Sequence, residues 1–211
     1  MYIDIHTHLL PGIDDGLKDE SLLPKMFRAY AQCFITSLVF TPHLFNPYVH
    51  TDIPNIMHTY ENCKAIAEDL GITCYLGSEI FVKDSEKDIQ GIPIGNQFYL
   101  IEFPVLFPPN FIIQKIKMVQ DKGYRVIIAH VERFPWLTWN GDLFKQLQDM
   151  GVIFQCNAED INLPKTKEYL DRDLIDVFAS DNHGNLEAPV QLVMAYAKYP
   201  LVAQKAQDLG L

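Results

Sequence analysis

Positive charge is scarce in this sequence. Its 17 lysine and arginine residues stand against 27 aspartate and glutamate residues, which gives a formal net charge of −10. Nucleic acids and anionic membrane surfaces select proteins with a basic stripe, so we expect neither as a partner. Apolar runs of about 18 residues are also absent, so no membrane-spanning helix and no membrane insertion are expected.

Cysteine is infrequent as well. The four cysteines form no C-x-x-C pair, and no leader of the secretory type precedes the first predicted strand. We therefore expect reduced and mostly buried thiols in a cytoplasmic protein. These residues are Cys33, Cys63, Cys74 and Cys156.

Linkers, low-complexity tracts and internal repeats are missing from the 211 residues, of which 48% are hydrophobic. A chain of this length and composition buries a sizeable core. We predict a single domain over residues 1–211.

What the chain does contain is a regular alternation of two kinds of segment. Seven short apolar segments predict buried parallel strands: 2–6, 36–41, 73–78, 98–103, 124–129, 152–156 and 175–180. Helical periodicity is found at 53–70, 111–122, 142–149 and 187–198, the last closing the chain. The alternation predicts an α/β fold with a parallel sheet, and seven strands favour a barrel over a doubly wound sheet.

The first predicted strand carries an unusual set of polar residues. At a period of two residues, Asp4, His6 and His8 share one face, and Ile3 and Ile5 share the other. One acid and two imidazoles either satisfy each other in the core or bind a ligand. This strand alone leaves both alternatives open.

Polar residues also follow the other predicted strands, at the ends where parallel βα folds collect their functional groups. The candidates are His6, His8, Asp14, Asp15, His43, Glu79, Glu102, His130, Glu132, Arg133, Asn157, Glu159, Asp181 and His183. A helix cap explains any one of them, but so many buried together would repel or stay unsatisfied without cations. Mixed nitrogen and oxygen donors without thiolates suit Zn, Mn or Fe, and about nine donors suit two or three ions. We expect Asp4 to orient an imidazole from behind the ligands.

Two loops that follow these candidates are rich in aromatic residues. Residues 44–58 follow His43, and residues 103–111 follow Glu102. Each loop is either a rim that receives a substrate, or a solvent-exposed connection without a role. Exposed aromatics in the second loop would also suit a dimer contact, whereas buried ones would belong to the core.

The segments DIHTH, PGIDDG, TPH, GSE, IEF, AHVER and SDNH, in this order, resemble the PHP (polymerase and histidinol phosphatase) superfamily of metal-dependent phosphoesterases. Within it, HLLPGIDDGLKD is most similar to the CpsB/YwqE-type protein-tyrosine phosphatases of bacterial capsular and exopolysaccharide operons. The resemblance covers essentially the whole chain. It implies a distorted seven-stranded (β/α)7 barrel and two or three divalent metal ions, with manganese preferred and iron or zinc as alternatives.

The resemblance also implies three sets of ligands. They are His6, His8, Glu79 and Asp181 for the first ion, Asp15, His43 and His183 for the second, and Glu79, Glu102 and His130 for the third. Position in the loop favours Asp15 over Asp14, with Asp14 kept as the alternative. Arg133 matches the arginine that binds phosphate, and we predict Arg133, Asp15 and His43 as catalytic residues.

Two departures from the family pattern bear on phosphate binding. Val131 stands where the family usually has proline, which leaves the neighbouring histidine and arginine in place. The segment after the last ligand, HGNLEAP, lacks the second arginine of many relatives. Either phosphate binding is weaker here or another residue supplies the charge.

The resemblance implies a phosphatase that hydrolyses phosphotyrosine in proteins through attack by a metal-bridging hydroxide, with the two aromatic loops as the candidate rim for the tyrosine ring or peptide. No C-x5-R loop is present, so a cysteine phosphoenzyme is not expected. A bacterial tyrosine kinase is the partner that the resemblance implies, and a homo-oligomer is compatible with it. The alternatives are a small-molecule phosphatase of the histidinol-phosphatase type, a non-catalytic PHP module and, ranked last, a metal-dependent amidohydrolase.

Overall fold

The computed structural model of the protein describes residues 2–85 and 88–210. Within these ranges nine strands are present: β1 (Tyr2–Thr7), β2 (Ile35–Phe40), β3 (His43–Leu44), β4 (Thr73–Leu76), β5 (Glu79–Phe81), β6 (Phe98–Glu102), β7 (Arg125–Ile128), β8 (Ile153–Asn157) and β9 (Val177–Ala179). The same ranges contain seven α-helices: α1 (Leu23–Gln32), α2 (Ile53–Glu68), α3 (Ile112–Gln120), α4 (Asp142–Asp149), α5 (Pro164–Leu170), α6 (Ala188–Lys198) and α7 (Pro200–Asp208).

The strands form two parallel sheets. One has three strands in the order β1-β2-β4, and the other has six in the order β3-β5-β6-β7-β8-β9 and curls into a half-barrel. Parallel pairing requires crossover connections, and the helices supply most of them. The predicted α/β fold with a parallel sheet is therefore confirmed.

The predicted count of seven strands is not confirmed, because two further short strands, β3 and β5, follow the second and third predicted segments. The segment 36–41 ends at Phe40, and pairing resumes only at His43, since Pro42 has no N–H to donate. The segment 73–78 ends as a strand at Leu76, before Gly77, where any Cβ would lie 2.6 Å from the Ile94 side chain, and pairing resumes at Glu79. At each of these two breaks the chain passes from the three-stranded sheet, which contains β2 and β4, to the six-stranded sheet, which contains β3 and β5.

The first strand meets the end of the last one at the same edge. The backbone N–H of His8 donates to the Asn182 carbonyl at 2.9 Å, and that of Asp181 donates to the His6 carbonyl at 2.9 Å. Residues that are 174 or more positions apart thus share one edge of the molecule, and the candidate ligands lie there.

The four predicted helices are present, with slightly different bounds, as α2, α3, α4 and α6. Three further helices were not predicted, and α7 rather than α6 closes the described part of the chain. Helix α1 buries Leu23, Met26, Phe27 and Tyr30 on one face, which is the spacing of an amphipathic helix. No helix within residues 2–85 and 88–210 is long and apolar enough to cross a bilayer.

Candidate metal centre

Most of the nine predicted ligands stand at or just beyond the carboxyl ends of strands, His43 and Glu79 open β3 and β5, and Asp15 lies in the loop after β1. The nine are His6, His8, Asp15, His43, Glu79, Glu102, His130, Asp181 and His183. Two of them, His130 and Asp181, have φ values of 31° and 51°, in the left-handed region that residues other than glycine seldom adopt. Such backbone conformations persist where the surroundings hold a functional side chain in place.

The first group is centred on the two imidazoles of β1. The Nε2 atom of His6 lies 3.1 Å from Nε2 of His8, 3.5 Å from Oε2 of Glu79 and 3.4 Å from Oδ1 of Asp181. His8 Nε2 lies 3.3 Å from the same two carboxylate oxygens. All four side chains are buried. Four lone-pair-bearing atoms thus face one another in a space closed to bulk water.

A chain of amide hydrogen bonds fixes the orientation of this group. The backbone N–H of His130 donates to Oε1 of Gln155 at 2.8 Å, which identifies that atom as the oxygen. His6 therefore donates from Nδ1 to the same oxygen at 3.2 Å, and its Nε2 carries a lone pair. Gln155 donates to Oδ1 of Asn157 at 2.8 Å, and Asn157 donates to Oδ2 of Asp181 at 3.0 Å. One network thus orients two predicted ligands.

Asp14 has the corresponding role for the second imidazole. Its Oδ2 accepts from Nδ1 of His8 at 2.7 Å and from the backbone N–H of His43 at 3.2 Å, and its Oδ1 accepts from Gly16 N–H at 3.0 Å. A carboxylate behind a histidine sets the tautomer and makes the other ring nitrogen a better ligand. His8 Nε2 is therefore directed toward the first group as a lone-pair donor.

Asp15 belongs to a second group. Its Oδ1 lies 3.4 Å from Nε2 of His43 and 3.5 Å from Nε2 of His183, and its side chain is 55% exposed. Ligand atoms of these three residues and of His8 all lie within 4.8 Å of one another. The two neighbouring acids are thus separated: Asp14 is buried behind His8, and Asp15 faces the opening.

The third group surrounds the far side of Glu79. His130 Nε2 lies 2.8 Å from Glu79 Oε1 and 3.7 Å from Glu102 Oε1. His43 Nδ1 lies 2.8 Å from Glu79 Oε2 and 3.9 Å from Glu102 Oε2. Glu79 therefore contacts the first and third groups at once, which is the position of a bridging carboxylate.

Carboxylates and imidazoles at this site shift one another's pKa values. Burial disfavours ionised Glu79, but the imidazoles around it, His6 foremost, hold its pKa well below its usual value. Burial, together with the charges of Glu79 and Asp181, raises the pKa of Glu102 to about 9. Burial also disfavours a charged His8, yet hydrogen bonds to neighbouring carboxylates raise its pKa well above the usual value. Protons and cations therefore compete for the same lone pairs, so metal affinity rises with pH.

The residues present fit divalent cations. Glu79 Oε2 and His43 Nδ1 are buried, and although they lie 2.8 Å apart they form no hydrogen bond with each other or with another described group. Leaving such atoms unpaired costs free energy, which a bound cation at the converging lone pairs would offset. Imidazole and carboxylate donors without a thiolate match Mn, Fe or Zn.

Arg133 lies beside the first group. Its Nη2 donates to Oδ2 of Asp181 at 2.8 Å, and its side chain is 40% exposed. A guanidinium has five N–H donors in a planar fork, so this contact leaves donors for an anion at the opening. No arginine follows Arg172 in the sequence, so no second guanidinium comes from the segment after His183.

The expectation for Asp4 is wrong. Its carboxylate contacts no imidazole; it accepts from the Tyr30 hydroxyl at 2.9 Å, from Ser180 N–H at 3.0 Å and from the Ser180 hydroxyl. The period of a strand places Asp4 on the same face as His6, but two residues deeper, where α1 and β9 supply its partners. The residue that contacts His6 from behind is Gln155.

Sequence reasoning missed the orienting role of Gln155 and the part that Asn157 plays with it. A signal was present, because Gln155 is a polar residue within the apolar segment VIFQC, and it is fully buried in β8. A buried amide needs hydrogen-bond partners, so its position on an inward face indicates a network.

The comparisons with known proteins agree with this geometry. A family model described as "Capsular polysaccharide synthesis, CpsB/CapC" matches residues 2–199. The chain is 27% identical to the tyrosine-protein phosphatase CpsB of Streptococcus pneumoniae over 231 residues, covering 98% of this chain and 94% of that protein. It is 31% identical to the tyrosine-protein phosphatase YwqE of Bacillus subtilis over 163 residues, covering 74% of this chain and 64% of that protein.

Solved structures show the same relationship. A structure from work on YwqE of Bacillus subtilis and CpsB of Streptococcus pneumoniae, described as unique metal-dependent tyrosine phosphatases, matches with a TM-score of 0.83. It is 26% identical and covers 98% of this chain and 92% of that chain. A histidinol phosphate phosphatase of Lactococcus lactis, with a TM-score of 0.58 and 15% identity over 97% of this chain and 94% of that chain, shares the fold alone. The resemblance drawn from the motifs is confirmed: the chain belongs to the CpsB/CapC family of capsular polysaccharide synthesis.

Proposed function

We propose that this protein is a metal-dependent phosphatase that hydrolyses phosphotyrosine in proteins and acts in the regulation of capsular or exopolysaccharide synthesis. The observation that carries the proposal is the convergence of His6, His8, Glu79 and Asp181, whose lone pairs face one another at 3.1–3.5 Å. The relatives named as tyrosine-protein phosphatases support the choice of substrate. A bacterial tyrosine kinase with a phosphorylated segment is the partner that we propose.

We infer that the nine predicted ligands hold two or three divalent ions, with manganese preferred. The first set is His6, His8, Glu79 and Asp181, the second is Asp15, His43 and His183, and the third is Glu79, Glu102 and His130. We further infer that residues 1–211 form one domain. In it, β2 with β3 and β4 with β5 each count as one strand of a distorted seven-stranded barrel.

Divalent ions, when bound, supply Lewis acidity that polarises phosphoryl oxygens and makes water acidic enough to attack near neutral pH. The protein's own residues supply the rest. Arg133 binds and orients the phosphoryl group with the donors that its contact with Asp181 leaves exposed. Asp14 and Gln155 hold His8 and His6 in the tautomers that present Nε2. A tyrosine phenoxide, with a pKa near 10, leaves with little help from an acid.

The test is hydrolysis of a phosphotyrosyl peptide by the purified protein with and without added manganese, beside His6→Ala. We expect metal-dependent turnover in the wild type and its loss in the variant, with the fold retained by circular dichroism. Cys156→Ser is the matched control and keeps full activity, because no thiol takes part in the reaction.

Other outcomes would point to the alternatives. Faster turnover of histidinol phosphate than of the peptide would indicate a small-molecule phosphatase with the same metal centre. Absence of turnover on both esters by metal-loaded protein would contradict the proposal and indicate a non-catalytic role.

A further inference from the structure

Two loops at the opening of the candidate metal centre expose large apolar side chains to water. The loop after β3 carries Tyr48, which is 92% exposed, and the loop after β6 carries Leu106 and Phe107, which are 73% and 75% exposed. Contiguous exposed apolar side chains beside a polar site are typical of ligand-binding surfaces. The sequence left two alternatives for these loops: a rim that binds substrate, or a solvent-exposed connection without a role.

A cavity of about 370 Å³ lies between the two loops. We call it the rim cavity, and the wall residues that matter here are Tyr48, Phe81, Glu102, Val105, Leu106 and Phe107. Its volume lies within the range of small-molecule sites, roughly 300–1,000 Å³. Because Glu102 is both a wall residue and a predicted metal ligand, the cavity opens directly onto the metal centre.

Hydrogen bonds attach both loops to their neighbours at the opening. Asn46 in the first loop donates to Oε2 of Glu102 at 3.5 Å, and Thr51 donates to the carbonyl oxygen of His43 at 2.6 Å. In the second loop, the carbonyl oxygen of Pro104 accepts from Nε1 of Trp136 at 3.1 Å. These hydrogen bonds fix the cavity walls in position relative to the metal ligands, and such preorganisation favours binding.

The chemical character of the opening changes from one end to the other. Contacts run from Arg133 to Asp181, from Asp181 through His6 to Glu79, and from Glu79 through His43 to Glu102 at the rim cavity. One end therefore carries a guanidinium, the middle carries the cation ligands, and the other end is aromatic and apolar. A phosphate monoester of a phenol has the same order, with an anionic end and an aromatic end.

We propose that the rim cavity binds the aromatic ring of an aryl phosphate, such as a phosphotyrosine side chain, while the phosphoryl group lies over the metal ligands. The inference rests on the proposed function and names the residues that make the site selective for aryl over alkyl esters. Tyr48 and Phe107 contact the ring, since aromatic pairs add attraction beyond the area they bury. An alkyl phosphate leaves these side chains in water and gains nothing from them.

The experiment measures binding rather than turnover, with two phosphonates that cannot be hydrolysed. Phenylphosphonate and methylphosphonate are titrated calorimetrically into manganese-loaded wild type, Tyr48→Ala, Phe107→Ala and Met194→Ala. We expect the wild type to bind phenylphosphonate about tenfold more tightly than methylphosphonate. Each rim variant lowers this preference by roughly three- to tenfold and leaves methylphosphonate binding unchanged. Met194→Ala, which removes an exposed apolar side chain of α6, is the matched control and changes neither.

Several results would overturn the inference. Equal affinity for the two phosphonates in the wild type, or binding of neither, excludes the rim cavity as an aryl site. A concentration-dependent dimer that Phe107→Ala dissociates assigns the surface to a second copy of the chain, and Phe107-dependent binding to lipid vesicles assigns it to a membrane.

Failure of the proposed function gives a different pattern. A phenyl preference that depends on Tyr48 and Phe107, without turnover of a phosphotyrosyl peptide, keeps the aryl site and rejects the phosphatase. Turnover without any phenyl preference keeps the phosphatase and rejects the aryl site.

Discussion

Two buried polar clusters lie next to each other along β1, and they are satisfied in opposite ways. At the deep end, the Asp4 carboxylate accepts hydrogen bonds from Tyr30 and from both the backbone and the hydroxyl of Ser180. Two residues further on, His6 Nε2 has only lone-pair-bearing atoms within 3.1–3.5 Å, among them Oε2 of Glu79. All of these side chains are buried.

The contrast teaches that burial and residue type do not identify a ligand, whereas the balance of donors and acceptors does. The deep cluster has a donor for each acceptor, so it contributes to folding without any ion. In the cluster at the opening, carboxylates and imidazoles share protons when no ion is present, and a bound cation competes with those protons for the same lone pairs. Substitutions that preserve shape should therefore affect different properties in the two clusters, namely metal binding and activity at the opening and stability alone at the deep end.

The largest effect is expected from Glu79→Gln, which replaces a buried carboxylate by an amide of the same shape. Loss of the bridging charge should lower phosphatase activity by about a thousand-fold, or about 4 kcal/mol in the barrier. Manganese content, measured by plasma mass spectrometry, should fall with it. Stability of the metal-free protein should fall, because the imidazoles around Glu79 stabilise its ionised form, as its lowered pKa shows, and an amide loses that attraction.

The proposed difference between the two clusters would be contradicted if Glu79→Gln kept its metal content and activity. It would also be contradicted if the variant lost activity only by unfolding. Urea denaturation of the metal-free variant beside metal-free wild type separates these results.

The matched substitution in the deep cluster, Asp4→Asn, should have the next largest effect, on stability alone. The amide group would direct N–H bonds at the donors from Tyr30 and Ser180, so one or more of them would lose an acceptor. We expect a loss of about 2 kcal/mol in the free energy of unfolding. Metal content and activity per folded molecule should stay within about twofold of wild type, and a parallel loss of manganese would contradict the distinction between the clusters.

A third substitution, Gln155→Leu, tests the layer between the two clusters. It removes the acceptor that holds His6 Nδ1 and the donor that holds Asn157 against Asp181. Removing such a group costs roughly 10- to 100-fold in metal affinity in other metal proteins. We expect a rise of that size in the apparent manganese dissociation constant, with activity restored at saturating manganese. A loss that manganese does not restore would mean that Gln155 acts on the substrate rather than through His6.

The cluster at the opening could be predicted from the sequence, because its members lie at or near strand ends. The ends of parallel strands meet at one edge, so histidines and carboxylates that follow strands are brought together whatever their distance in the chain. His6 and Asp181 are 175 positions apart and lie 3.4 Å from each other. The sequence motifs place both at strand ends, and no tertiary information is needed for that step.

Features that depend on a specific tertiary neighbour are not accessible in the same way. Asp4 shares the face of His6, but its partners Tyr30 and Ser180 come from α1 and from the end of β9, which strand periodicity does not specify. The breaks that separate β2 from β3 and β4 from β5 lie at Pro42 and Gly77, but the short strands after them pair with a different sheet, which the local sequence does not specify. Helix α1 had the apolar spacing of a helix, so its omission was an error of interpretation.

The smallest effect is expected from the pH dependence of stability in the metal-free protein. Burial and the charges of Glu79 and Asp181 raise the pKa of Glu102 to about 9, above its value in the unfolded chain. Between about pH 5 and pH 9 the folded state therefore holds more protons than the unfolded state, and the free energy of unfolding falls as pH rises. A difference of one pKa unit between folded and unfolded Glu102 corresponds to about 1.4 kcal/mol in the free energy of unfolding, and water that enters the opening reduces this difference. Urea denaturation of chelator-treated protein across this range should show the decline, which Glu102→Gln reduces and saturating manganese reverses. A decline that Glu102→Gln leaves intact would assign it to another group whose pKa the fold raises, with His8 as the first to replace.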